Sequence, residues 1–199
     1  MKKLIFATFF AALLLLPAAS AGTLALDITG GRVYTDYSWS LGWQFTVNSP
    51  ITVDGLAFYD NTDTQSHLVG IYNDTTQALL VSTTVTTANC GIGTAPWCVN
   101  SVAPTLLGIG TYDIMAVTGT DNWVYSPTTL TTIPQIAFVQ DEWYDPPTDA
   151  LTFPNSTNGN QGDFGPSFTV ESGVPEPASF LLIGGGLLLA AGLRRRRQA

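Results

Sequence analysis

An antiparallel β-sandwich, jelly-roll-like and all-β, is the fold class predicted for residues 22–173. Three observations predict it. Between Gly22 and Gly173 no long stretch repeats its apolar residues at the helical period of about 3.6. Short apolar runs alternate instead with Gly, Pro, Asn and Asp. The runs are rich in Thr, Val, Ile, Tyr, Phe and Trp, which suit a pleated, half-buried surface. Many short strands with turn chemistry between them form a sandwich or barrel. A chain of about 150 residues buries about two-thirds of its unfolded surface, so no second domain is needed.

The strands follow in order. Trp43-Gln44-Phe45-Thr46-Val47 alternates and ends at Asn48-Ser49-Pro50. Ile51, Val53, Leu56 and Phe58 form the next strand, and Gly55 shifts the phase as a bulge does. Leu68 to Tyr72 is a strand turned by Asn73-Asp74, and Ala78 to Val85 continues the set. Thr111 to Val117 lies between Gly108-Ile109-Gly110 and Gly119. Ile136 to Val139 and Phe164 to Val170 close the domain. Asp145 to Gly162, rich in Pro, Asn, Thr and Gly, reads as a long loop ordered in part by Leu151 and Phe153.

Charge is segregated along the chain. Its 199 residues hold seven Lys or Arg, fifteen Asp or Glu and one His, a net −8. Lys2 and Lys3 stand at one end and Arg194, Arg195, Arg196 and Arg197 at the other. Arg32 is the one base between Ala21 and Leu193, against all fifteen acids, so the middle carries −14. No basic cluster is present there to neutralise phosphates, which excludes a nucleic-acid binder. Hydrophobic residues at 45% argue against disorder.

The two ends read as addresses. Residues 1–21 have the grammar of a secretory signal peptide: Lys2 and Lys3, an apolar run from Leu4 to Leu16, Pro17, and small residues at Ala19-Ser20-Ala21. Signal peptidase is expected to cut after Ala21. Residues 174–199 open with Val174-Pro175-Glu176-Pro177 and continue with sixteen uncharged residues, Ala178 to Leu193, before the four arginines. As a transmembrane helix that run would reach about 24 Å, slightly under a bilayer core of about 30 Å. The arginines would stay cytoplasmic, which puts the domain across the inner membrane.

Pro175-Glu176-Pro177, a short apolar helix and a terminal arginine cluster together resemble the PEP-CTERM sorting signal of Gram-negative bacteria. The resemblance implies recognition by exosortase, an inner-membrane cysteine protease-like transpeptidase. It also implies removal of the tail near Pro175-Glu176-Pro177 and delivery of the transiently anchored protein to the cell surface or extracellular matrix. The middle resembles a family of exported bacterial β-sandwich domains often joined to such tails. The likeness lies in Leu41-Gly42-Trp43-Gln44-Phe45-Thr46-Val47, Ile51 to Asp60, Ser66 to Tyr72, Gly110-Thr111-Tyr112 and the segments Leu151 to Pro154 and Phe164 to Pro166. The stretch from Cys90 to Cys98 departs from it. That family carries no assigned catalytic activity.

Four groups of residues are candidates for chemistry. Cys90 and Cys98 are the only cysteines of a chain read as exported. A disulfide is the natural pairing, with a metal pair or a catalytic thiol as the alternatives. His67 could be written into a Ser-His-Asp triad with Asp60 or Asp63, but no nucleophile elbow surrounds a serine, and a structural hydrogen bond is the plainer role. Asp60-Asn61-Thr62-Asp63-Thr64 is oxygen-rich. A solvated loop of Asx turns explains it, and Ca²⁺ bound at Asp60 and Asp63 is the competing reading, the only cofactor the chain suggests. Asp141-Glu142-Trp143-Tyr144 sets carboxylates beside two large aromatics. Trp143 and Tyr144 would either plug the end of the sandwich or bind carbohydrate. Asp141 and Glu142 fall on opposite faces of any strand, against the paired carboxyls of a glycosidase.

The expected function is that of a non-enzymatic surface or matrix component, exported, sorted by exosortase and associated with exopolysaccharide in a biofilm. Its sandwich would be structural or adhesive. A carbohydrate-binding module and, less favoured, a secreted carbohydrate-active hydrolase are the alternatives.

Overall fold

The computed structural model describes residues 22–59, 65–88, 90–92, 97–159 and 162–171, which form one compact unit from Gly22 to Glu171. The described residues form strands, and no helix long and apolar enough to cross a membrane is among them. In chain order the strands are β1 (Thr23–Leu24), β2 (Leu26–Thr29), β3 (Arg32–Tyr34), β4 (Ser40–Val47) and β5 (Ile51–Tyr59). Then come β6 (His67–Asn73), β7 (Leu79–Val85), β8 (Cys90–Ile92), β9 (Trp97–Leu107) and β10 (Gly110–Val117). The last are β11 (Trp123–Tyr125), β12 (Thr129–Thr132), β13 (Ile136–Trp143), β14 (Asp163–Phe164) and β15 (Pro166–Val170).

Every strand pairing among the described residues is antiparallel, and two five-stranded sheets dominate. One runs β1-β15-β5-β9-β8 and the other β13-β4-β10-β6-β7. The chain crosses between them from β4 to β5, back to β6, across again after β7 and back at β10. A three-stranded sheet, β14-β11-β3, and the β12-β2 pair complete the domain.

The core forms where the two large sheets face each other. The alternation of β4 turns Trp43, Phe45 and Val47 inward, and all three are buried. Phe168 of β15 comes from the opposite sheet to meet Trp43 at 6.0 Å and Phe45 at 5.0 Å between ring centroids. The indole N–H of Trp43 donates to the carbonyl of Pro166 at 2.8 Å, so this large ring enters the core with its polar atom satisfied.

Two bulges shape the outcome. β5 shifts register between Val53 and Gly55 against both β9 and β15, as the phase break at Gly55 predicts. On β9 the same shift spans Ser101 to Thr105, and Pro104, which has no N–H to give to a ladder, falls inside it. The second bulge lies in β13 between Phe138 and Gln140. It reverses which side chains face inward: Phe138 opposes Phe45, yet three residues later Asp141 opposes Trp43, leaving Glu142 opposite Gly42 on the outer face.

The long loop after Trp143 lies on that outer face. Ser40 Oγ donates to the carbonyl of Thr152 at 2.9 Å and accepts the Thr152 N–H at 3.1 Å. Tyr72 donates its hydroxyl to the carbonyl of Leu151, and Phe153 meets the Tyr72 ring edge-on at 5.6 Å. Leu151 and Phe153 thus order the loop as the sequence predicts. This cover explains why β4 is buried on both faces along its first half.

Candidate functional site

At one end of the sandwich a cavity of about 240 Å³ is lined by Asp36, Trp39, Leu41, Trp123 and Trp143. Trp143 is positioned by pairing with Leu41 across β13 and β4 and by a bridge to Ser156. Trp39 donates its indole N–H to Asp36 Oδ1 at 2.9 Å, which fixes both groups at the mouth. Trp123 comes from β11. Its indole nitrogen is buried and has no hydrogen-bond partner among the described residues. Three other indoles donate to oxygen, Trp43 to Pro166, Trp97 to Asp27 and Trp39 to Asp36. A buried donor left open costs about 1–3 kcal/mol.

Tyr144 follows Trp143 but is not part of this lining. Its N–H bonds the carbonyl of Ser40. The structure therefore separates the two aromatics that stand together in the sequence, and gives Trp143 two other tryptophans as neighbours.

A second polar cluster sits on the outer face of the β13-β4-β10 sheet under the long loop. Asp113 opposes Gln44 across β10 and β4, and Gln140 opposes Gln44 on the other side. The Gln44 amide nitrogen lies 3.1 Å from Asp74 Oδ1, 3.2 Å from Asp113 Oδ1 and 3.3 Å from Glu142 Oε1. Gln140 donates a further bond to Glu142 Oε1 at 3.0 Å. Asp113 and Glu142 are buried beside each other, and each carboxyl influences the other's protonation. Two carboxyls this close favour a state in which at least one is protonated. Burial, then the bond to and repulsion from Glu142, push Asp113 up to about 8. Burial likewise raises Glu142, against the lowering effect of its bonds from Asp113 and Gln140.

His67 opens β6, buried, with its ring stacked on Phe58 at 3.7 Å between centroids. Nδ1 lies 3.0 Å from the carbonyl oxygen of Val117, and Nε2 lies 3.4 Å from Asp121 Oδ2. The described partners hold it as a structural hydrogen-bonder. Cys90 and Cys98 oppose each other across β8 and β9 and are joined by a disulfide. Asp60 and Asp63 of the Ca²⁺ reading, and Pro175, Glu176, Pro177, Arg194, Arg195, Arg196 and Arg197 of the sorting reading, lie outside the described residues, as does the signal-peptide segment 1–21. Among the described residues no group of three or more His, Cys, Asp or Glu is arranged to hold a metal ion.

Residues 173–197 match the PEP-CTERM protein-sorting motif. The chain carries a PEP-CTERM sorting signal. This motif implies an exosortase-targeted extracellular protein, exported and transiently anchored in the membrane before exosortase cleaves it. No curated protein and no solved structure matches the chain. The PEP-CTERM match spans the tail alone, so the role of the sandwich rests on its own geometry.

Sequence reasoning missed Trp39 and Trp123 as partners of Trp143. Trp39 follows a polar turn and Trp123 belongs to a strand of three residues, too short to show a period. It also missed the pairing of Asp113 with Glu142, which depends on the bulge in β13.

Proposed function

We propose that this PEP-CTERM protein, freed of its signal peptide by signal peptidase and of its tail by exosortase, is a non-enzymatic surface or matrix component whose sandwich adheres to glycan. The observation that carries the reading is the cavity walled by Trp39, Trp123 and Trp143 with Asp36 at its rim. Flat apolar rings receive the C–H faces of a sugar, while a carboxylate serves its hydroxyls. The volume falls below the range of about 300–1,000 Å³ that takes drug-sized ligands, which fits a single pyranose ring of a longer chain. Attachment within an exopolysaccharide or biofilm layer would follow. The strand orders β1-β15-β5-β9 and β13-β4-β10-β6-β7 support a jelly-roll reading of the sandwich, an architecture that lectin domains also use.

The hydrolase alternative finds less support. A glycosidase needs two carboxyls facing one cleft. Asp141 opposes Trp43 on the core side and Glu142 opposes Gly42 on the other. Ca²⁺ at Asp60 and Asp63 is retained as a proposal, tested by whether calcium raises the melting temperature of a chelated preparation. A glycan array probed with the full chain and with its Trp143→Ala variant tests the main reading. Binding by the parent that falls about tenfold or more in the variant is expected. A folded parent that binds no glycan would leave a purely structural module.

A further inference from the structure

Arg32 is the one base among the residues from Gly22 to Glu171. No described side chain forms an ion pair or hydrogen bond with it, although acids outnumber it throughout the domain. Its position explains what else a lone exposed guanidinium could meet. β3 pairs with β11 so that Arg32 opposes Tyr125 and Tyr34 opposes Trp123. Opposed residues share a face, as do alternate residues along a strand. The four side chains therefore form one patch, a base followed by three aromatic rings. Tyr34 and Trp123 stack at 5.2 Å and 20°. Tyr125 meets them edge-on, at 5.8 Å and 6.5 Å. The other face of this small sheet sends Val124 and Phe164 into the core, so the aromatic face is the outward one. Trp123 belongs both to this patch and to the cavity wall, so the two are continuous.

The geometry points to an acidic polysaccharide, with an uncharged ring in the tryptophan cavity and a uronate ring along Tyr34 and Tyr125 whose carboxylate meets Arg32. This rests on the glycan-binding reading and narrows its ligand class. Asp36 at the cavity disfavours an anion there and leaves Arg32 as the place for one. A planar guanidinium holds a carboxylate by two parallel hydrogen bonds, which sets the orientation of the chain as well as its charge. The domain's overall negative charge does not forbid this. At physiological salt the Debye length is about 8 Å, so distant acids are screened while a direct contact is not.

The test measures binding of the full chain to an oligogalacturonate, to an uncharged gluco-oligosaccharide of equal length and to polyglutamate, at low and high salt. The uronate is expected to bind about tenfold more tightly than the uncharged sugar, and to weaken as salt rises. Arg32→Ala should erase the preference and leave binding of the uncharged sugar intact, with Arg32→Lys between the two. Trp123→Ala should weaken both sugars. Equal binding of the two sugars by the parent, a preference that survives Arg32→Ala, uronate binding that strengthens with salt, or equally tight binding of polyglutamate would each overturn the inference, while uncharged-sugar binding would keep the broader reading. Binding of neither sugar would remove both.

Discussion

The buried carboxyl pair Asp113 and Glu142 makes stability fall as pH rises. Burial raises both, so the folded domain retains protons there that the unfolded chain releases in the ordinary carboxylate range. Where the folded state binds more protons, the slope of stability against pH is negative. The loss therefore begins near pH 4, where the unfolded carboxyls ionise, and is complete once pH passes about 8, where Asp113 ionises in place. A displacement from 3.8 to about 8 corresponds to about 6 kcal/mol if nothing moves, at about 1.36 kcal/mol per unit. The covering loop sets a lower ceiling. Lifting it breaks the two Ser40–Thr152 bonds and the Tyr72–Leu151 bond, at about 1 kcal/mol each. The domain is expected to lose about 3 kcal/mol between pH 4 and pH 9, a fall of roughly 6–12 °C in melting temperature. Tyr72, pushed up by burial from 10.0, stays neutral through this window. Asp113→Asn removes the titrating group and gives Glu142 a permanent N–H donor. It should flatten most of the slope and raise stability at pH 9. Urea unfolding at pH 4, 7 and 9 reads both quantities. A parent as stable at pH 9 as at pH 4, or a variant with an unchanged slope, would refute the reasoning.

Three further outcomes are expected. Gly42→Ala should destabilise by about 3 kcal/mol or more in urea, because its Cβ would stand 1.8 Å from the Ile114 carbonyl oxygen and force β4 from β10. Alkylation of the native, unreduced protein should add no label at Cys90 or Cys98, and the double Cys→Ala variant should lose about 2.5 kcal/mol through the freed nine-residue loop. Intact mass of exported protein should show a chain ending near Pro177, and arginines still attached would contradict exosortase processing.

The large strands were legible because one face of each is apolar and the other is not. Trp43 to Val47 and Thr111 to Val117 show that contrast directly. β9 was not foreseen, because its shift around Pro104 breaks the alternation, and much of its length is exposed. The strands of two to four residues, β1 to β3 and β11 to β12, are too short to carry a period. Trp143 drew attention through its own neighbourhood. Its partners Trp39 and Trp123 are brought to it by strand pairing, which no local pattern encodes. The same holds for Arg32: its solitude is visible in the sequence, and its place on an aromatic ladder depends on the register of β3 with β11. A one-residue bulge at Val139 decided which acid met Asp113, and bulges of that kind leave little trace in residue type.

The position of β15 has a consequence for export. The last strand of the domain does not add to an edge. It lies between β1 and β5, with Thr23 opposite Val170 and Phe58 opposite Pro166. A chain crossing a membrane from its N-terminus delivers β1 first and β15 last. The first large sheet therefore stays open, with a gap one strand wide, until the residues just ahead of the sorting signal have emerged. Closing it joins the two ends of the domain side by side, so folding is completed only when translocation of the domain is, and the long-range pairing that does so is the slow kind.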